Sequence, residues 1–173
     1  MNTRGYIQVY TGNGKGKTTA ALGLAIRAAG AGKKVFMAQF VKGRPYSEQE
    51  LIEQHLPQIT IRQYGLGCFI INNPTPDDIR AAREGLTEVE KKIASGDYDL
   101  IILDEATIAL YYNLFSVNEL IRVIQSGSVE TEIVLTGRYA PAELIQIADL
   151  VTEMKEVKHY FSRGVEARKG IEY

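Results

Sequence analysis

The chemistry in this 173-residue chain is densest in the stretch Thr11-Gly12-Asn13-Gly14-Lys15-Gly16-Lys17-Thr18-Thr19. Glycines there let backbone amides converge on an anion, and a helix starting at its end would add partial positive charge. Lys17 is spaced to reach the outer phosphates of a bound polyphosphate, and the Thr18 hydroxyl to hold a magnesium ion. Gly12, Asn13, Gly14, Lys15, Gly16 and Thr19 complete the cradle. One position departs from the usual pattern: Thr11 stands where the first glycine is expected, with Gly12 one place later. A glycine-rich turn that merely caps a buried helix is the competing reading. It would leave two lysines inside the loop without a counter-ion.

Asp104-Glu105 is the second landmark. The apolar run Leu100-Ile101-Ile102-Leu103 delivers two carboxylates to a strand end, where open α/β sheets bind ligands. A magnesium ion beside a phosphate loop needs such a carboxylate, directly or through water. Sequence alone does not say which of Asp104 and Glu105 touches it, and a surface turn is the competing reading. Thr136-Gly137-Arg138 closes another strand, and Arg138 is a candidate to stabilise charge on a leaving phosphate. Its competitor is a solvated turn arginine. Arg27, inside an apolar helix, either reaches the nucleotide or snorkels to solvent. Lys42 and Gly43 carry a weaker signal of the same kind. His55 reads as solvated, whereas His159 sits in a distinctive tail, Val157-Lys158-His159-Tyr160-Phe161.

The elements that must position these residues alternate between strand and helix. Residues 6–10 read as a strand before the loop and residues 20–29 as a helix after it. Further strands are expected at 34–40, 59–63, 99–103 and 132–136, with a short one at 150–154. Ser47 and Glu50 form a candidate capping box for a helix through His55. Thr75-Pro76-Asp77-Asp78 starts a helix whose face is Ile79, Ala82, Leu86, Val89 and Ile93, ended by Gly96. Ser116 and Glu119 cap another helix to Gln125, and residues 141–148 form one more. Residues 64–75 are irregular, and their apolar content argues for function over disorder. The pattern predicts a mostly parallel α/β sheet with helices on both faces, of the P-loop NTPase-like (RecA-like) kind.

Composition narrows the classes. A net charge of -1 argues against electrostatically driven binding to nucleic acid or anionic membrane. A single cysteine, Cys68, excludes a disulfide framework and a cysteine-cluster metal site. No segment reads as a signal peptide or membrane span, so a cytoplasmic protein is expected. The length fits one domain over residues 1–173, with residues 155–173 a C-terminal tail expected to cover the nucleotide site.

Read together, these motifs resemble the ATP:corrinoid adenosyltransferases of the BtuR/CobO type. The likeness lies in residues 9–21, whose loop also has Thr before Gly-Asn-Gly-Lys-Gly-Lys-Thr-Thr. It continues through Gln39-Phe40-Val41-Lys42-Gly43, Ile102-Leu103-Asp104-Glu105 and Val134-Leu135-Thr136-Gly137-Arg138. The tail adds Ala148-Asp149-Leu150-Val151-Thr152-Glu153-Met154, Val157-Lys158-His159 and Lys169-Gly170-Ile171-Glu172.

The resemblance implies transfer of the 5′-deoxyadenosyl group of ATP to cobalt(I) of a reduced corrinoid, releasing triphosphate, with magnesium at Thr18 and Glu105. It also implies an ATP bound in the reverse sense to ordinary ATPases, an electron donor such as a reduced flavoprotein, and a homodimer. Phe69 falls where some members carry Phe and Trp that crowd the cobalt's lower face; this chain has no Trp. Cobalt(I) is itself the nucleophile, which agrees with the lack of any evident catalytic Ser, Cys or general base. Two other classes fit the loop alone: a small kinase or ATPase cleaving the γ-phosphate, and a non-enzymatic nucleotide-dependent corrinoid-binding module. Triphosphate, ADP or unchanged ATP as the outcome separates the three.

Overall fold

The computed structural model describes residues 5–44, 46–67, 70, 73–127 and 130–173. Phe69, expected to meet the corrinoid, and Cys68 lie outside the described residues.

Parallel strands build the centre: β1 (Ile7–Thr11), β2 (Val35–Phe40), β3 (Ile59–Tyr64), β4 (Leu100–Asp104), β5 (Glu132–Thr136) and β6 (Leu150–Glu153). They form one six-stranded sheet in the order β3-β2-β4-β5-β1-β6. The strand carrying the glycine loop is therefore separated from the strand carrying Asp104 by β5. This is the RecA-like arrangement expected from the sequence.

The near-continuous apolar strands follow from burial on both faces. One face holds Phe36, Ala38, Phe40, Ile101 and Leu103 against Ala82, Leu86, Val89 and Ile93 of α3 (Pro76–Ser95) and Leu120 of α5 (Val117–Gln125). On the other, Met37, Ile61, Ile102 and Val134 meet Ala21, Ala25, Ala28 and Ala29 of α1 (Lys17–Gly30). Small alanines let α1 lie close to the sheet as it crosses β5 and β4. Ile52 of α2 (Ser47–His55) closes this layer beside β3. The short α6 (Ala142–Ile147) contributes Leu144 to the opposite one.

Most element starts match their sequence signals. Thr75 with Asp78 and Ser116 with Glu119 form reciprocal capping boxes, and Gly96 ends α3 at φ 68°. The Ser47–Glu50 box does not form. Tyr46 is the N-cap residue of α2, without a side-chain cap, and the Ser47 hydroxyl instead donates to the main-chain oxygen of Tyr173 at 3.0 Å. A six-residue helix, α4 (Ala106–Tyr111), lies directly after Glu105 where no helix was expected. A 3₁₀ turn, Tyr160–Arg163, interrupts the tail.

Candidate active site

β1 delivers the glycine loop to the carboxyl edge of the sheet. Gly12 and Gly16 sit at φ 94° and 118°, a region other residues rarely adopt, and a Cβ on Gly12 would stand 2.5 Å from the Met154 carbonyl oxygen. The tail packs this tightly because the Gly14 amide donates to that same carbonyl at 2.7 Å. Gly14 therefore points its amide at the Met154 carbonyl and is not among the amides free to converge on an anion. The first amides of α1, which have no intrahelical carbonyl to bond, remain available for that task.

Both loop lysines have partners within the chain, and one of them, Lys15, has a counter-ion there. The buried Lys17 ammonium donates to the carbonyls of Gly12 at 2.7 Å and Gly14 at 2.8 Å. Burial pushes its pKa below the usual lysine value, while the Glu105 carboxylate pulls the other way. Lys15 turns outward, donating to the Ile171 carbonyl at 2.9 Å and pairing with Glu172 at 3.5 Å.

Asp104 is fully buried and saturated. Its Oδ1 accepts from the hydroxyls of Thr18 at 2.8 Å and Thr136 at 2.7 Å. Its Oδ2 accepts from the Lys42 ammonium at 2.7 Å and the Gln39 amide at 3.3 Å. Burial favours protonation, but Lys42 and the hydroxyls outweigh it and hold the carboxyl below its ordinary value. The reciprocal effect on Lys42 is the same: burial opposes its charge, Asp104 outweighs burial, and its pKa rises.

Glu105 is different. It adopts a left-handed backbone, φ 57° and ψ 22°, uncommon outside glycine, and its amide donates to Thr136 Oγ1 at 3.0 Å. Burial first, and the neighbouring Asp104 charge second, push its carboxyl above the usual range. Val41 and Tyr139, following β2 and β5, share this conformation at φ 60°. Strained residues at three strand ends of one edge are what a built site tends to show.

The loop faces a cavity of about 820 Å³. Lys15, Lys17, Thr18, Lys42, Glu105 and Arg138 supply its polar wall. Gly14, Gly16, Thr19 and His159 also border it, whereas Asp104 stands behind the wall. Val41, Ile70, Ile108, Tyr111, Tyr112 and Tyr139 border the cavity as well. Residues 170–173 of the tail border the same space. Exposed Asn13 is not among the bordering residues. Arg27 is exposed in the last turn of α1, ten residues beyond Lys17 and so roughly 15 Å down the helix. Of the two readings given for Arg27, the exposed position agrees with the solvent-facing one, and Arg27 does not border the cavity.

Sequence reasoning missed Thr136 as the bridge between Glu105 and Asp104, because strand order alone makes it central. It also missed the tyrosines on α4 and after β5, whose convergence is tertiary.

Among the described residues, no group of three or more His, Cys, Asp or Glu could hold a metal ion. Thr18 and Glu105 both border the cavity, the Thr18 hydroxyl being held by Asp104. A hard cation that keeps most of its coordination for phosphate oxygens and water fits such a sparse set. The raised pKa of Glu105 fits it too, since added positive charge would relieve it.

A glycine loop opening a helix, with a buried Asp and a half-buried Glu at the end of a strand one place removed, defines a phosphate-loop nucleotide-binding α/β protein. Within that class the chain belongs to the ATP:corrinoid adenosyltransferase BtuR/CobO/CobP family, whose model matches residues 3–173. The corrinoid adenosyltransferase of Escherichia coli K12 is 37% identical over 174 residues, covering 100% of this chain and 88% of that protein. "Corrinoid adenosyltransferase CobA" of Salmonella typhimurium is 36% identical, covering 98% and 86%. The Pseudomonas aeruginosa corrinoid adenosyltransferase is 35% identical, covering 98% and 84%. The chain is thus a transferase, with ATP and a corrinoid the substrates its family implies. No helix among the described residues is long and apolar enough to cross a membrane.

Proposed function

We propose that the chain joins the 5′-carbon of ATP to cobalt(I) of a corrinoid. The cobalt electron pair forms the cobalt–carbon bond, the C5′–oxygen bond breaks, and triphosphate leaves with the bonding pair. The observation that carries this reading is the mixed lining of the cavity. Lys17, Thr18, Glu105 and Arg138 border it, and so do Val41, Ile108, Tyr111 and Tyr139. A polyphosphate leaving group needs the charged part of that lining, and a large flat nucleophile needs apolar rings at its border.

In this reading Lys17 leaves the carbonyls of Gly12 and Gly14 to meet phosphate, Arg138 takes up charge as triphosphate departs, and Asp104 orients Thr18. Thr18 and Glu105 would hold magnesium, which supplies charge neutralisation to the leaving group. His159 and residues 170–173 cover the site from the tail side, as one domain with the rest. Phe69 and Ile70 would shield the cobalt's lower face. A reduced flavoprotein delivers the electrons in the cytoplasm, and the enzyme works as a homodimer in adenosylcobalamin synthesis or salvage.

The test is anaerobic incubation with ATP, magnesium and chemically reduced cobalamin. A light-sensitive alkyl-cobalt spectrum with stoichiometric triphosphate is expected. ADP without that spectrum would replace the reading with γ-phosphoryl transfer.

A further inference from the structure

Tyr111, at the end of α4, and Tyr139, in the turn after β5, hold their ring centroids 4.6 Å apart with the planes tilted by 32°. Each stays more than half exposed, at 58% and 54%. Tyr112 adds an edge-on ring 5.3 Å from Tyr111, and its hydroxyl donates to the Ile70 carbonyl at 3.4 Å. Three tyrosines thus form a continuous aromatic ledge on the border of the cavity, joined to the segment that contains Ile70.

The ledge is constructed, not incidental. Tyr139 is held in a left-handed conformation at φ 60°, unfavourable for a bulky residue. The turn that imposes it is pinned on both sides. Thr107 donates its hydroxyl to the Arg138 carbonyl at 2.6 Å, and the Ala140 amide reaches Thr11 Oγ1 at 3.4 Å. Large rings that remain exposed at a cavity rim await a partner with an apolar face.

Size decides which partner. A cavity of about 820 Å³ matches a ligand of nucleotide size. A corrinoid is far bulkier than a nucleotide and cannot share that volume with ATP, so it must lie across the mouth, where the exposed rings are. We propose that Tyr111 and Tyr139 are binding residues for the corrinoid, stacking against its flat conjugated ring system and setting how it lies over the nucleotide. The inference rests on the adenosyltransferase reading and adds to it the residues of the rim.

The test titrates ATP-loaded wild type, Tyr111→Ala, Tyr139→Ala and Tyr139→Phe with cob(II)alamin, followed by its visible spectrum. ATP affinity is measured separately by calorimetry. Each alanine variant should weaken corrinoid binding about tenfold, the size of one lost aromatic stack, with ATP affinity unchanged. Tyr139→Phe should restore the affinity, because the ring and not the hydroxyl makes the contact. The corrinoid KM should rise in step, with kcat at saturation retained. Unchanged corrinoid affinity in both alanine variants overturns the inference, as does a loss confined to ATP, which would place adenine on the rings. If wild type alkylates cobalamin and the alanine variants match it, the rim assignment alone fails. If wild type neither binds nor alkylates the corrinoid, both readings fail together.

Discussion

The Thr18 hydroxyl donates to Oδ1 of Asp104 at 2.8 Å, so a first-turn residue of the helix after the glycine loop is aimed by the strand two places away. Thr136, on the intervening β5, donates to the same oxygen. With Lys42 and Gln39 on the other oxygen, Asp104 has no direction left in which to face a ligand. Glu105, unlike Asp104, borders the cavity. The two adjacent carboxylates therefore have separate tasks, one orienting the wall and one meeting what binds there.

Asp104→Asn and Glu105→Gln should separate those tasks. The Asp104→Asn change would deprive the Lys42 ammonium, itself only 11% exposed, of the carboxylate it is bonded to. Breaking a buried pair in this way costs about 3–5 kcal/mol. Thermal unfolding should show the loss, at roughly 2–4 °C per kcal/mol for a chain of this length.

Glu105→Gln should do the opposite. It removes a buried charge beside Asp104, so the ligand-free protein should gain about 0.5–2 kcal/mol while turnover falls and the magnesium requirement rises. The folded-state pKa of Glu105 is raised, so wild type is penalised above that pKa and recovers as pH drops through it. The gain should therefore be present at neutral pH and vanish in acid. Equal melting temperatures for wild type and Glu105→Gln at neutral pH would refute the burial argument.

What the sequence made legible was local. Four apolar residues ending in Asp104-Glu105 read as a buried strand because every side chain is indeed buried, and Thr75 with Asp78 announced α3 because both halves of the cap lie within one turn. α4 gave no such sign. It starts from Glu105 in a left-handed conformation with no side-chain cap, so nothing in residue type marks its beginning. At Ser47 the capping pattern was present but a distant acceptor, the main-chain oxygen of Tyr173, took the hydroxyl. The motifs thus named Lys17, Thr18, Glu105 and Arg138, which the fold brings to the border of one cavity. The bridging by Thr136 and the meeting of Tyr111 with Tyr139 depend on strand order and loop path.

Lys17→Ala and Lys15→Ala should behave differently although they are two residues apart. Lys17 is buried in the loop, and its loss should lower kcat/KM for ATP on the order of 10²-fold, the usual cost of a preorganised charge-stabilising donor. Lys15 is committed to Ile171 and Glu172. Its loss should chiefly raise the KM for ATP, through a looser tail, and leave the rate at saturation nearer wild type. Initial rates over an ATP series distinguish the two patterns, and identical losses in both parameters for both variants would contradict it.

Glu172 should titrate far below an ordinary glutamate. The Tyr160 hydroxyl bonds its carboxylate, the Arg168 amide donates to it at 2.7 Å, and these interactions depress its pKa to about 2. A depressed carboxylate contributes order above its unfolded pKa and loses it as pH falls through the folded one. Hydrogen-exchange protection factors in residues 160–172 should therefore hold from neutral pH to about pH 4 and fall towards pH 2. In Glu172→Gln the protection should be weaker throughout and lose this pH dependence. A carboxyl carbon resonance titrating near the unperturbed glutamate value would rule out the latch.

The turn after β5 offers a test of the site's geometry that does not touch its charges. Gly137 sits at φ 135°, and a Cβ there would stand 2.3 Å from Thr107 Oγ1. That oxygen cannot retreat easily, because Thr107 is fully buried and its hydroxyl is bonded to the Arg138 carbonyl at 2.6 Å. Gly137→Ala must strain the backbone and displace that hydroxyl, a loss of about 1–3 kcal/mol. The displaced turn carries Arg138 and Tyr139, so turnover should fall further than stability alone explains. Gly23→Ala is the matched control: it lies in the middle of α1 and its Cβ would meet nothing within 4 Å. There the same substitution should stabilise the helix by up to about 1 kcal/mol. Opposite shifts in melting temperature, with activity lost only in Gly137→Ala, are expected. A Gly137→Ala protein that melts and turns over like wild type would mean that the turn is free to move and does not hold Arg138 in place.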